Sequence, residues 1–469
     1  MLNKQRPRQI SYTAIGENRG NKRAWLQGLR LEQIGFQIGQ RYNRHYDEEQ
    51  NRILLTVDPQ GTHVVSGKNL NGFKRPVIDI ENQQLTKMFE RYKKSRVLYY
   101  DNHLVISIHR EEMTRAQAWE DLMINLEGGC LTTGTICVGG AISSSAIKDG
   151  LMATGYDTHT EWVIDIEPKY LQSAIDNSRA IDDETIIVCG SLNDVETSML
   201  TPVNLLNISL PCTGLSPSGR SKNRLKHPED HETAGTAVLR AIDYIETNMP
   251  PMIWNENVKE FATSATGALF ANRLRELGYN VQSGFYGGEM GTIEDRYRSI
   301  TLATHPDLDI DLDNLVPVMT KQGCVNDILE DIGPDDPAWR TFDYLHAKEE
   351  RDIASGKGYR QQLIEGHEET IGVMGRGYRK GRSTEARKTH PTDPTLSRLF
   401  TPREMARLQQ VPEELIANLC DTTASEILGQ GVSYPLFVAI GQFTGKALDN
   451  LLGVTPSAEK EAVYAPSLG

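Results

Sequence analysis

The stretch Thr133-Gly-Thr-Ile-Cys-Val-Gly-Gly-Ala-Ile-Ser-Ser-Ser-Ala-Ile-Lys-Asp-Gly-Leu-Met152 decides the fold. A short β-branched strand, Thr133 to Val138, runs into Gly139-Gly140-Ala141. A helix-like segment follows from Ser143 to Met152. The next strand is Trp162-Val-Ile-Asp-Ile166, and Pro168 opens another helix, as proline does at a first helical position. Ile186 to Cys189 and Val203 to Leu210 read as further strands. This alternation implies an α/β fold with a parallel sheet and ligand sites at the carboxyl ends of its strands. Glycines at a strand-to-helix turn let a ligand approach the backbone, and an acid after the next strand accepts bonds from ribose hydroxyls. Here those parts are Gly139 and Gly140, then Asp165 with Glu167 close by.

Outward from this core, Leu205-Leu-Asn-Ile-Ser-Leu-Pro-Cys-Thr-Gly-Leu-Ser-Pro-Ser-Gly-Arg220 takes an apolar strand into proline and one thiol, Cys212, beside a loop of small residues. In Trp254-Asn-Glu-Asn-Val258, Glu256 ends another strand, with Asn257 and Val258 behind it. A thiol and a carboxylic acid at neighbouring strand ends suit covalent attack on an electron-poor ring. The thiolate adds to carbon while the acid engages a ring nitrogen. Arg296 and Arg298 alternate along the next strand and so share one face of it. Both guanidiniums are placed to fix a carbonyl, a phosphate or Glu256.

The chain has 469 residues, 38% hydrophobic and 24% charged, which is room for two or three soluble domains. No apolar run reaches a membrane-spanning length and no secretory signal opens the chain. The six cysteines are scattered, so neither a disulfide framework nor a zinc site is expected, and the reading is cytoplasmic. The net charge of −13 hides a split. Residues 1–112 hold 19 Lys/Arg against 12 Asp/Glu, a surplus of +7, so the remainder carries −20. A second basic cluster lies at Arg376, Arg379, Lys380, Arg382, Arg387 and Lys388. Such asymmetry points to a polyanion partner.

Residues 1–112 read as a tandem repeat. Arg23-Ala-Trp-Leu and Arg75-Pro-Val-Ile open its halves, and each half continues to a basic–aromatic strand and a β-branched strand. The pattern resembles the AbrB/SymE-like swapped-hairpin domains, which implies a small β-barrel that binds DNA or pairs two copies of the chain into a homodimer.

Taken in order, the chemical residues from about 133 to 450 resemble the DNA (cytosine-5) methyltransferases. Pro211-Cys212 matches that family's nucleophile motif, and Glu256-Asn257-Val258 its Glu-Asn-Val motif. Glu294-Asp-Arg-Tyr-Arg298 matches Gln-x-Arg-x-Arg. Arg398-Leu-Phe-Thr-Pro-Arg-Glu-Met-Ala-Arg-Leu-Gln-Gln-Val-Pro412 matches the helix opening the last block, and Gly429-Gln-Gly-Val-Ser-Tyr-Pro435 the closing Gly-Asn-x-Val motif. The resemblance implies an S-adenosylmethionine-dependent methyltransferase fold, a Rossmann-like mixed sheet, acting on cytosine flipped out of double-stranded DNA. By it, Cys212 attacks C6, Glu256 engages N3, Arg298 holds the O2 side, and Arg296 completes the catalytic set.

The same resemblance assigns the cofactor S-adenosylmethionine to Cys137, Gly139, Gly140, Asp165, Ile166, Leu192, Pro211, Gln430 and Val432. It assigns DNA to Ser216, Ser218, Arg220 and Lys222 of the closing loop, and to Arg376, Arg379, Lys380 and Arg382 of a target-recognition region. The implied layout is 1–112 for the β-rich domain, 113–304 for the catalytic domain and 305–395 for target recognition. Residues 396–453 return to the catalytic domain, and 454–469 form a tail. The chain departs from the pattern at the first motif, Phe-x-Gly-x-Gly-Gly in the family. Cys137 stands for the phenylalanine, and Ala141 and Ile142 for the last two glycines. Ser191 stands near an expected aspartate, Gln430 replaces asparagine, Glu294 replaces glutamine and Thr213 replaces another glutamine. Altered cofactor contacts are therefore expected. The alternatives are the same chemistry on RNA, and a DNA-binding regulator whose methyltransferase fold has little turnover.

Overall fold

A computed structural model describes residues 6–70, 72–211 and 236–454. The chain divides into two compact units, residues 1–117 and 118–469.

The first unit contains β1 (Gln9–Ala14), β2 (Gly16–Asn18), β3 (Asn21–Gln27), α1 (Leu29–Gln33), β4 (Arg41–Asp47) and β5 (Arg52–Val57). It continues through β6 (His63–Val64), β7 (Ser66–Leu70), β8 (Phe73–Glu81), α2 (Gln83–Met88), β9 (Lys94–Tyr100) and β10 (His103–Ile108). One sheet runs β1-β9-β10-β5-β4-β6 and the other β2-β3-β8-β7. The repeat is visible in the register. Leu54 pairs with Val105 and Leu26 with Ile78, each residue lying opposite its counterpart in the other half. Two similar halves thus meet across a local two-fold and bury Leu26, Phe36, Ile53, Ile78, Phe89 and Leu104 between them. Neither half has enough apolar surface to form this core alone.

The helix α3 (Arg110–Glu127) spans the division between the units. The second unit then runs β11 (Cys130–Ile136), α4 (Ile142–Met152), β12 (Asp157–Asp165), α5 (Pro168–Asn177), β13 (Ile186–Cys189) and β14 (Leu205–Ile208). Next come α6 (Ala237–Asn248), β15 (Met252–Val258), α7 (Lys259–Ala262), α8 (Ala265–Glu276), β16 (Asn280–Tyr286) and β17 (Arg298–Thr304). The sheet order is β13-β12-β11-β14-β15-β17-β16, with only β17 reversed among its strands. It is a mixed sheet flanked by helices, as the expected α/β fold requires. The run Leu205 to Ile208 carries no polar alternation because a central parallel strand is covered on both faces, and all four residues are buried.

Residues 305–395 lose the strand–helix alternation. They hold α9 (Asp343–Ala354), β18 (Gln362–Ile364) and β19 (Ala386–Thr389), and β19 pairs on with β20 (Ser397–Arg398). The chain returns through α10 (Pro402–Leu408), α11 (Asp421–Gln430) and α12 (Tyr434–Leu452). The sequence Thr401-Pro-Arg-Glu404 starts α10 as a capping box with proline at the first turn. Only part of the quoted motif Arg398 to Pro412 is helical. Helix α10 ends at Leu408, Gln410 takes a left-handed φ of 51°, and a separate short 3-10 turn covers Glu413–Ile416. Pro412, which offers no N–H, prevents the two from merging.

Candidate active site

The parallel strands β11, β12, β14 and β15 bring their carboxyl ends to one edge of the sheet, and the candidate residues lie there. On β15, Glu256 is buried and its Oε1 lies 3.0 Å from Arg298 Nε on β17. Burial raises the Glu256 carboxyl above its ordinary range, against the downward pull of Arg298 and Arg296. An acid so placed holds its proton to higher pH than a surface glutamate does. The neighbouring Asn257 donates from Nδ2 to the carbonyl of Leu210 at 3.0 Å. The motif's asparagine thereby ties the end of β15 to the residue preceding Pro211. Cys212, Ser216, Ser218, Arg220 and Lys222 lie outside the described residues.

At the adjoining turn, Gly139 N–H donates to Asp165 Oδ2 at 2.8 Å, and Glu167 N–H donates to Asp165 Oδ1 at 2.9 Å. Burial raises the Asp165 carboxyl, opposed by these backbone donors. The Ile166 N–H adds a third backbone donor, and since a carboxylate offers about four lone-pair sites, acceptor capacity remains for a ribose hydroxyl. Space beyond Gly139 is open, since a Cβ built there meets nothing within 4 Å. Ile166 is 61% exposed beside it, an apolar surface for a ring. Leu192 and Val432 are buried, whereas Pro211 and Gln430 are exposed. Burial pushes the Cys137 thiol up to about 12, so it stays protonated. The residues present fit an adenosine cofactor.

Arg296 is corrected. It was expected beside Glu256 in the catalytic set, but its guanidinium is buried and directed elsewhere. Nη1 donates to the carbonyls of Gly429 and Gly431, and Nη2 to those of Met374 and Leu428 and to Glu294 Oε1. Glu294 in turn accepts from Met374 N–H and Gln409 Nε2. The cluster clamps together the segment before β17, Met374 between β18 and β19, and the end of α11. Alternation along an ideal strand predicted one shared face, but β17 begins only at Arg298, so Arg296 is free of that rule. At the same junction a Cβ on Gly429 would lie 2.5 Å from the Gly375 carbonyl carbon, so only glycine admits the approach.

The profile of the C-5 cytosine-specific DNA methylases matches residues 145–446, more than half of the chain. The chain belongs to this family. The type II methyltransferase M1.ScrFI of Lactococcus lactis subsp. cremoris is 25% identical over 269 residues, covering 54% of this chain and 65% of that protein. M.SsoII of Shigella sonnei is 26% identical over 275 residues, covering 56% and 69%. The chain thus spans a little under two thirds of M1.ScrFI. The crystal structure of the S. pombe Dnmt2 methyltransferase has a TM-score of 0.53 at 17% identity, covering 68% of this chain and 99% of that one. At that identity the likeness speaks for the fold. S-adenosylmethionine is the methyl donor of the methylase family, and it is the cofactor of this chain. The profile begins at residue 145 and leaves the N-terminal unit outside it.

Within the methylase unit, the basic segment is less open than its composition suggested. Arg376, expected on DNA, lies 3.5 Å from Glu167 and over the Tyr170 ring, on the cofactor side. Arg379 is 2.8 Å from Asp421. Both spend charge on carboxylates of their own chain, which a count of basic residues does not reveal. Lys380 and Arg382 are exposed, as a DNA contact requires. Sequence reasoning missed the role of Gln409 and placed Arg296 wrongly. The signal available was Gln409 inside the quoted helix motif, but its partner Glu294 lies 115 positions away.

The clamp has a direct test. Arg296→Met is expected to lower the unfolding free energy by about 3–5 kcal/mol, because Glu294 is left buried and unpaired. Glu294→Gln, which keeps an acceptor for Met374 N–H and Arg296, is expected to cost less. Urea unfolding of the two variants checks the order, and equal losses would contradict the clamp.

Proposed function

We propose that this methylase transfers a methyl group to C5 of cytosine in duplex DNA. The observation that carries the reading is the buried Glu256–Arg298 pair at the sheet edge where β14 leads to Pro211-Cys212. With the base flipped out, the Cys212 thiolate adds to C6 while the Glu256 acid donates to N3. The electron pair released from the C5–C6 double bond makes C5 nucleophilic. S-adenosylmethionine, when bound, supplies the electrophilic methyl group. The C5 proton then leaves to a base, the C6–S bond breaks, the double bond re-forms and the thiolate is released. Arg298 keeps Glu256 oriented and is placed toward the O2 side of the ring. Asp165 takes a ribose hydroxyl, and Lys380 and Arg382 take phosphates of the duplex.

DNA rather than RNA is favoured by the family to which the chain belongs. Duplexes of either polymer carrying 5-fluorocytosine test this, each with S-adenosylmethionine. Fluorine at C5 leaves no proton to remove, so the adduct persists. The expected result is a covalent complex with DNA and none with RNA. Adduct only with RNA would reassign the substrate, and tight DNA binding without any adduct would favour the regulator.

A further inference from the structure

The turn that faces the cofactor is built from residues that do not favour its shape. Cys137 and Ala141 hold φ of 61° and 59°, a left-handed region disfavoured for a residue with a Cβ. Such a conformation persists where the surroundings over-determine it. The residues that follow do this. Ser143, Ser144 and Ser145 are consecutive, all buried, and each is bonded to a different element. Asn207 Nδ2 on β14 donates to Ser143 Oγ at 2.8 Å. Ser144 Oγ meets Thr135 Oγ1 on β11 at 3.0 Å. Ser145 Oγ meets Ser178 Oγ at the end of α5 at 2.8 Å. Three hydroxyls within one turn of α4 therefore anchor its start to two sheet strands and a neighbouring helix. Three apolar side chains packed there would resist sliding less, because hydrogen bonds constrain direction as well as distance.

The Asn207 bond has a particular consequence. Asn207 belongs to the strand that runs into Pro211-Cys212, and Ser143 lies two residues beyond Ala141. This buried side-chain bond links the start of α4 to the strand that runs toward the nucleophile, beside the backbone bond from Ser209 N–H to the Ile136 carbonyl. Among the described residues Asn207 Oδ1 has no partner, and the Nδ2 bond orients that side chain.

We propose that Ser143 and Asn207, supported by Ser144, are positioning residues that hold the glycine-poor turn in its cofactor-binding shape and in register with the Cys212 strand. This rests on the methyltransferase reading above. The serines do by side-chain bonding what glycine does by lacking a Cβ, which is to keep the left-handed turn populated.

The test compares the full-length chain with Ser143→Ala, with Ala141→Gly, and with the two combined. Calorimetric titration with S-adenosylmethionine measures affinity without turnover. Hydrogen exchange at the Gly139 amide, bonded to Asp165, reports the turn in the ligand-free chain. Ser143→Ala is expected to weaken cofactor binding roughly tenfold, the scale of one buried hydrogen bond, and to speed exchange at Gly139. Adding Ala141→Gly is expected to restore both, because glycine holds the same φ without the Cβ penalty. A Ser143→Ala chain that melts lower but binds S-adenosylmethionine as the parent does would overturn the proposal. So would failure of Ala141→Gly to restore affinity in a combined variant that melts as the parent does. Absence of binding by the parent would instead sink the methyltransferase reading, and this inference with it.

Discussion

Cys212→Ser is expected to abolish the covalent complex with 5-fluorocytosine DNA and to lower methyl transfer on the order of 10³-fold or more, the scale on which loss of a nucleophile acts. A free cysteine is a few per cent thiolate at neutral pH and intrinsically nucleophilic, whereas a serine hydroxyl is not ionised there. Binding of DNA and of S-adenosylmethionine should survive, since the thiol is needed for the bond to C6 and not for docking. Denaturing electrophoresis of the reaction separates these outcomes. A serine variant that still captured the fluorinated duplex would remove Cys212 from the chemistry. Capture by another cysteine is the natural rival. Cys137 and Cys189 both lie at the same sheet edge; burial pushes the Cys137 thiol up to about 12 and holds it protonated, whereas Cys189 is exposed at the end of β13.

Glu256→Gln is the second large effect. It removes the proton delivered toward N3, and the expected loss in kcat is about 10²–10⁴-fold, the range for a positioned acid. The pH behaviour gives a sharper check. Burial raises the folded-state pKa of Glu256, so the fold binds a proton here more tightly than the unfolded chain does. Over the window from the ordinary carboxylate pKa up to the raised one, this group makes stability fall as pH rises, and the effect levels off above it. Glu256→Gln should flatten that part of the stability profile. Activity that needs the acid form should likewise decline as pH climbs through the raised value. A Gln variant with an unchanged stability profile would show that Glu256 titrates as an exposed carboxylate.

Much of the sheet was legible because local rules decide it. The β14 segment is mostly apolar and β15 opens on Met252-Ile-Trp254, and Gly139-Gly140 and Pro168 mark a turn and a helix start. The Glu256, Asn257 and Arg298 positions followed from order along the chain, and the structure joins Glu256 to Arg298 across two strands. Arg296 was misread for a physical reason. Its five hydrogen bonds reach Glu294, Met374, Leu428, Gly429 and Gly431, most of them more than 70 residues away. No local pattern carries those partners. The ion pairs of the basic segment were hidden for the same reason, since Arg376 meets the residue before α5 and Arg379 an acid of α11 only after folding.

The sequence by itself determined the strand–helix alternation and the family and supplied the proposed reacting groups, because hydrophobic period and residue chemistry are local properties. Tertiary structure alone decided which arginine faces Glu256 and which is spent as a clamp. It also decided how a turn short of glycine is held open toward the cofactor. Those outcomes depend on burial and on partners distant in the chain. A buried donor takes the acceptor that the packing brings to it, and sequence order does not specify that acceptor.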